Sequence, residues 1–549
     1  MTSPFAPKPL FATLAPLGLA LGAGAFAVAL TPSLIPRAGM LQGALAGLAF
    51  AVVYGLGAAA AATWLWLGLP AARGRWLDRA AVATGLAVLA FGLVRATDWQ
   101  NLVHAAADLP PVETARPLVI AATGAATAVV LILLGRLFRL LAIGAANLLA
   151  RRLPARLSLT LGLIATATLF WLVGNGVLAS GALRALDASY RLVDELIPPE
   201  AAPPDDPRAS GGPNSLLTWE RLGAAGRDRV AQWPAQADIE ALIDGPALTP
   251  LRVYVGQAAA ESPEARAALA LAELIRIGGF ERRLLVIATP TGTGWIDPAS
   301  MAPLEVLWGG DVASVSVQYS HLPSWLSLLA EPENGLDTAR AVFRRIYAHW
   351  SALPHDARPR LYLHGLSLGA RNSELSADLW DILDDPHHGA FWVGPPFDSA
   401  LWTDFVRARE PGSPAHRPRV GDGSRVRFLT GGEGLTRDDY APWGRTRIVY
   451  LHYASDPITF FEPEAAWRPP DWMRELPGEG VAPELRWAPV VTALQLLADL
   501  GAATTTPKGR GHVYAAADYL EGWLELTDPP GWDAARLDRL RAAMAARGL

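Results

Sequence analysis

Apolar residues crowd the first third of this chain in long unbroken runs, and beyond it they alternate with polar ones in short blocks. Residues 9–30, "PLFATLAPLGLALGAGAFAVAL", carry no charge. They are enough to cross the roughly 30 Å of a bilayer core as a helix. Further runs cover residues 40–69, 80–94, 118–135 and 157–182. The third is short for a span and is expected to extend through Arg95, whose long side chain can reach the interface. Between the fourth and fifth runs, "GRLFRLLAIGAANLLARRLPAR" brackets an apolar middle with arginines. That pattern fits an interfacial helix or an extension of the preceding one. Five such runs predict a bundle of about five transmembrane helices over residues 1–196.

Residues 197–215, "IPPEAAPPDDPRASGGPNS", are rich in Pro and polar residues, cannot bury a core and read as a linker. From 216 to 549 the pattern changes to short β-branched runs separated by amphipathic helices. "LRVYVG", "RRLLVIATP", "VASVSVQYS", "RLYLHGLS", "GAFWVGPPF", "RVRFLTG" and "TRIVYLHYASDP" read as strands. "SPEARAALALAELIRIGGF", "LDTARAVFRRIYAHW", "VVTALQLLADL" and "AADYLEGWLEL" read as helices. Such alternation predicts a mostly parallel sheet with helices on both faces.

Charge sharpens the division. Residues 1–180 hold 12 basic and 4 acidic side chains; the remainder holds 35 and 48. The acidic C-terminal part argues against a nucleic-acid partner, which needs a basic footprint. With no cysteine there is no disulfide and no thiolate metal site; neither a metal nor a cofactor is expected. Arginines gather at 73–79 and 136–156, and acids at 98, 108 and 113. The arginine-rich loops should be cytoplasmic. Counted as five spans from a cytoplasmic N-terminus, the chain beyond about residue 183 lies outside. The cores of the runs are nearly free of ionisable residues, which favours anchoring over transport. Their Gly and Ala content suits close helix packing and permits a homo-oligomer.

The chemistry centres on "LYLHGLSLGA" at 361–370. Here Gly365-Leu366-Ser367-Leu368-Gly369 follows a strand and precedes a helix. That corner lifts a serine hydroxyl above a sheet, while the glycines let backbone pass close by. A serine needs a base to take its proton. In this chain order the base is a late histidine, and His512 in "KGRGHVYAAADY" is the best placed of ten. The acid that orients it should stand at a strand's carboxyl end. Asp456 in "YLHYASDPITF" fits, with Asp438 and Asp439 as rivals. Oxyanion donors are expected from the amide of Leu368 and from the loop "VIATPTGTGW", where Thr289, Thr291 and Gly292 compete and Thr291 is preferred. A phosphate-binding reading of "TGTG" lacks the following lysine. Trp295 and Trp325 are candidates for an apolar substrate pocket; packing is the alternative for them, as for Trp402 and Trp443.

With serine, acid and histidine in this order, residues 216–549 resemble the α/β-hydrolase superfamily. Together with the apolar N-terminal runs and the segments "TGTGWIDP", "SVQYSHLPSW" and "WVGPPF", the chain is similar to a bacterial family of membrane-anchored α/β-hydrolases with a dedicated N-terminal transmembrane domain. The resemblance implies a transmembrane bundle followed by an α/β-hydrolase domain, and a serine esterase- or lipase-like activity with Ser367, Asp456 and His512 at the triad positions. It also implies an inner-membrane location, with the bilayer and a lipophilic ester as partners. The His-Gly oxyanion segment of many esterases is replaced here by "TPTG". Acyl transfer through the same residues is the nearest alternative. A non-catalytic assembly or transport protein carrying a hydrolase-like domain is the other.

Overall fold

The computed structural model describes residues 14–70, 74–198, 201–324, 326–327, 331, 333–431 and 440–549. By its internal contacts the chain divides into two compact units. One comprises the chain up to Ala182 together with Phe461–Pro507, and the other Leu183–Phe460 together with Lys508–Leu549.

The first unit is helical. Its elements are α1 (Pro16–Ala29), α2 (Gly39–Trp66), α3 (Arg75–Ala106), α4 (Pro117–Leu149) and α5 (Ala155–Trp171). A π-helical stretch, Leu172–Ala179, carries α5 without a break into α6 (Ser180–Glu195). Among the described residues four helices are long and apolar enough to cross a membrane: α2, α3, α4 and the 41-residue rod from Ala155 to Glu195. About five were expected, and the helix of the first run is short over the described residues. Helix α1 has 14 residues, which at 1.5 Å each fall well short of about 30 Å. Residues 9–13 lie outside the described ones. The arginine-bracketed segment at 136–149 is resolved as an extension of α4.

Small residues set the helix spacing. A Cβ at Gly43 would lie 1.9 Å from Thr123 Oγ1, and one at Gly47 2.3 Å from the Gly124 carbonyl. No side chain fits where α2 crosses α4 at this distance.

One correction concerns residues 461–507. They were expected inside the α/β domain, yet they fold with the helical unit. The helix Val491–Ala502, read from the sequence as a covering helix of the sheet, packs on α1 and α2 instead. Arg37, in the turn after α1, pairs with Asp499 at 2.9 Å, and both side chains are buried. Asp499 also accepts from Ser33 Oγ at 2.6 Å and from the Leu34 amide at 3.2 Å. The Gln495 amide group donates to the carbonyls of Val28, Ala29 and Thr31, which end α1. Buried helix-end carbonyls need donors, and this insertion supplies them.

The second unit carries a seven-stranded sheet of β1 (Leu251–Val255), β2 (Leu284–Thr289), β3 (Val312–Val317), β4 (Arg360–Leu366), β5 (Gly389–Val393), β6 (Val426–Leu429) and β7 (Arg447–Leu451). The order is β1-β3-β2-β4-β5-β7-β6, and every pairing is parallel. Strands β1, β2, β3, β5 and β6 are buried at every position. That explains why they read as continuous apolar runs: both faces of the sheet are covered.

The Pro-rich stretch is no free linker over its described part. Ser215 Oγ and the Leu216 amide bond the two oxygens of Glu273, Arg276 donates to the Pro207 carbonyl at 2.6 Å, and the Tyr254 amide donates to Ser210 Oγ at 3.2 Å. Polar composition suggested solvation, but these polar groups are satisfied by the α/β unit. The end of α6 is held as well. Asp194 accepts from the Ala224 amide and from Gln318 Nε2, and Arg227 donates to the carbonyls of Asp194 and Leu196.

Candidate active site

Strand β4 lies in mid-sheet between β2 and β5, so its carboxyl end opens at the centre of one sheet edge. Ser367 follows it and opens the helix Leu368–Glu374. Its backbone has φ 57° and ψ −128°, a conformation that a non-glycine residue adopts only where the surroundings enforce it. Two glycines make the corner possible. A Cβ at Gly365 would lie 2.4 Å from the Gly369 backbone, and one at Gly369 would lie 2.4 Å from the Thr289 carbonyl. The Ser367 amide donates to the Val393 carbonyl at 2.9 Å, which extends the β4–β5 ladder to the serine. The side chain is buried.

His512 and Asp456 come together across 56 residues. Nδ1 of the histidine is 2.7 Å from Asp456 Oδ2. Asp456 is fully buried just past β7, its Oδ1 accepting from the Ile458 amide at 2.8 Å. The histidine loop is short and sharply bent: Gly509 and Gly511 have φ of 85° and 57°, and the Gly511 amide donates to Ser455 Oγ at 3.0 Å. The ring rests against Gly394, where a Cβ would lie 2.6 Å from its Cε1. Gly394 directly follows Val393, whose carbonyl receives the Ser367 amide. The imidazole therefore stands one residue from the serine's own hydrogen-bond partner. Its Nε2 is buried and has no hydrogen-bond partner among the described residues; it is the nitrogen a serine proton would reach.

The competing histidines are occupied elsewhere. His364 Nδ1 bonds the Phe391 carbonyl at 2.8 Å among Phe391, Tyr519 and Trp523. His452 Nε2 lies 2.7 Å from the His416 carbonyl. Burial pushes His364, His387, His388 and His452 each down to about 4. Near neutral pH these rings are uncharged packing groups. Asp438 and Asp439 lie outside the described residues.

The amide of Leu368 opens the helix after the serine and has no acceptor within it, as an oxyanion donor requires. Thr291, the preferred second donor, is corrected by the structure. Its amide already donates to the Trp295 carbonyl at 3.1 Å, closing the turn of "TGTGW". The Gly292 amide is likewise spent, on Ser324 Oγ at 3.1 Å. Sequence could not reveal this, because a turn consumes its amides only once its end finds an acceptor. Trp295 is 41% exposed, and what it contributes to the turn is its carbonyl. Trp325 lies outside the described residues. Trp402 packs on Phe428, Tyr450 and His452 as a core residue, and Trp443 donates to Glu525 at 2.8 Å.

Two groups missed by sequence reasoning belong to this neighbourhood. Tyr514 donates to Asp456 Oδ2 at 2.5 Å. A lone tyrosine two residues after a histidine carries no recognisable signal. Glu374, seven residues after the serine, is buried and accepts from Tyr450 Oη at 3.0 Å. Burial pushes its carboxyl up to about 8, against the partial opposition of the Tyr450 hydrogen bond. The folded state therefore keeps a proton that the unfolded chain releases above about pH 4.5. Stability from this group is full below that value and declines as pH rises to and through 8. Glu374→Gln should remove most of that decline, on the order of 3–5 kcal/mol between pH 5 and 8. Melting curves in detergent at the two pH values check it; equal pH losses in variant and wild type would refute the burial argument.

A central serine at a strained strand-to-helix corner, on a wholly parallel sheet, with an Asp-held histidine on a later loop, is the arrangement of α/β-hydrolase-type folds. Sequence comparison agrees. The profile of the alpha/beta-hydrolase family matches residues 251–540, and that of the alpha/beta-hydrolase family N-terminus matches residues 30–234. The chain belongs to the alpha/beta-hydrolase family. No curated protein and no solved structure matches it.

Proposed function

We propose that the protein is a membrane-anchored serine hydrolase that cleaves carboxylic esters of lipophilic compounds or lipids. The observation that carries this reading is the His512–Asp456 pair at 2.7 Å, with Nε2 unpartnered among the described residues and the ring against Gly394, the residue after the one whose carbonyl receives the Ser367 amide. In the proposed reaction Ser367 Oγ attacks the ester carbonyl as His512 Nε2 takes its proton. The carbonyl oxygen becomes an oxyanion facing the Leu368 amide. The alcohol leaves with the proton from His512, and an acyl-enzyme remains. Water, deprotonated by the same nitrogen, releases the acid and restores the serine. An acceptor alcohol in place of water would give acyl transfer by identical steps.

Four long apolar helices support anchoring in the membrane. The side of the membrane follows from charge. Arg73 precedes α3 and Arg75 opens it, and the α4–α5 connection holds Arg151 and Arg152, so both of these ends should be cytoplasmic. The residues after α6 then lie outside the cytoplasmic membrane of a bacterium, whatever α1 does. The turn before α2 must lie on that same outer side, and the Arg37–Asp499 pair fits this, since Asp499 comes after α6 in the chain. Tethering would hold the site near lipophilic substrate at high effective concentration.

An alkyl fluorophosphonate tests the reading. Attack by Ser367 Oγ forms a P–O bond as fluoride leaves, and mass spectrometry of the digest should find the adduct on the peptide bearing Ser367. A charged, membrane-impermeant analogue should label intact spheroplasts. Folded protein that resists the permeant reagent would speak for the non-catalytic alternative. Labelling by the impermeant reagent only after lysis would reverse the orientation.

A further inference from the structure

Asp456 Oδ2 accepts two strong hydrogen bonds, from His512 Nδ1 at 2.7 Å and from Tyr514 Oη at 2.5 Å. Thr459 Oγ1 stands farther off, at 3.4 Å. Oδ1 is taken by the Ile458 amide. The phenol is not there by default of space. Its ring stacks on Tyr453 with centroids 4.6 Å apart and meets His512 edge-on at 5.6 Å. Tyr453 is fixed in turn by donating to Asp518 at 2.5 Å and accepting from the Ala515 amide at 3.0 Å. The two donors come from one short loop, His512 and Tyr514 flanking Val513, whose carbonyl accepts from the Gly509 amide at 2.9 Å and whose amide donates to the Arg510 carbonyl at 3.2 Å.

We propose that Tyr514 is a positioning residue for the His512–Asp456 pair, donating to the oxygen that holds the imidazole and so setting how strongly that oxygen attracts the imidazole proton. The inference rests on the serine-hydrolase reading above. The physical reason is competition. A carboxylate oxygen that accepts an O–H bond has part of its charge drawn off, and an imidazolium beside it is stabilised less. The phenol thereby keeps the histidine a weaker base than Asp456 alone would make it, so that more of it is in the proton-accepting form below neutrality. Burial and the Asp456 charge both push the pKa of Tyr514 well above the usual phenol value, so the hydroxyl stays protonated and remains a donor throughout the working range.

Other charged and titratable groups face the pair. Asp297, half-buried before the helix Pro298–Leu307, acts on His512 and is itself influenced by Lys508. Asp518 and Arg510 act through Tyr453, and His452 lies toward Asp456. None of them changes when Tyr514 loses only its hydroxyl, so a shift in that variant reports on the one bond.

The test is the rate of fluorophosphonate labelling against pH for wild type, Tyr514→Phe, and protein with 3,5-difluorotyrosine at position 514. Phenylalanine keeps the stack on Tyr453 and deletes the donor. The acid limb of its profile should move up by about 0.5–1 unit, slowing labelling at pH 6 by about 3–10-fold. The difluorophenol is a stronger donor and should move the limb down. A purely structural role would change the plateau rate or the melting temperature and leave both limbs in place. Limbs that coincide in all folded forms, or a difluorotyrosine limb that fails to move opposite to phenylalanine, would overturn the proposal while leaving the hydrolase reading intact. Absence of labelling in wild type would remove that reading itself.

Discussion

Replacing Ser367 by alanine should lower ester cleavage by about 10⁴-fold or more, because the attacking atom is gone and only binding and oxyanion contacts remain. The loss should appear in kcat, with KM little altered, since the hydroxyl contributes to the transition state far more than to substrate binding. His512→Ala should cost nearly as much, and the double variant hardly more than either, because serine and base act as one unit. Fold should survive. Alanine takes the same backbone position at φ 57° and keeps the amide bond to Val393, so thermal melting in detergent should stay close to wild type. A panel of esters of increasing acyl length, assayed with purified protein in micelles, gives the comparison and ranks substrates as well. A Ser367→Ala protein that cleaves the preferred ester at the wild-type rate would exclude the serine as nucleophile.

The second large effect is on stability. Asp499→Ala should destabilise the helical unit by about 3–5 kcal/mol, the usual consequence of leaving one partner of a buried ion pair without the other. Arg37 and Asp499 are both almost wholly shielded from solvent. The substitution would strand the guanidinium and also leave Ser33 and the Leu34 amide without their acceptor. Arg37→Leu combined with Asp499→Leu should recover much of the loss, since an apolar pair of similar size carries no desolvation penalty. Melting of the single and double variants in the same detergent decides the matter. A single variant as stable as wild type would mean that the pair is solvated or dispensable. Residues 461–507 leave the α/β unit five residues after Asp456 and return five residues before His512, so the acid and the histidine are each a short stretch of chain from a segment anchored on α1 and α2.

Much of the architecture was legible without coordinates. All seven strands stand where short β-branched runs predicted them, because a parallel sheet covered on both faces demands uninterrupted apolar sequence. Ser367 was legible for a local reason. A strand, a helix and two glycines around the serine between them define one backbone shape, and the observed φ of 57° is that shape. Helix lengths were less legible. Charge marked where apolar runs stop, yet α3 and α4 continue past their arginines for several turns, since a helix end is set by capping and packing as well as by hydropathy. The Pro-rich stretch was misread because its polar groups are satisfied by partners distant in the chain, and the Thr291 amide because a turn only four residues long consumes it; composition encodes neither.

Sequence by itself determined the sheet, the apolar helices and the corner that presents Ser367, because each follows from periodicity and backbone sterics within a few residues. Tertiary structure alone decided that Tyr514 shares the oxygen on which Asp456 meets His512, and that residues 461–507 join the helical unit. Those outcomes depend on groups that approach only after long loops close, where burial removes water and forces each polar atom to find the partner that geometry offers.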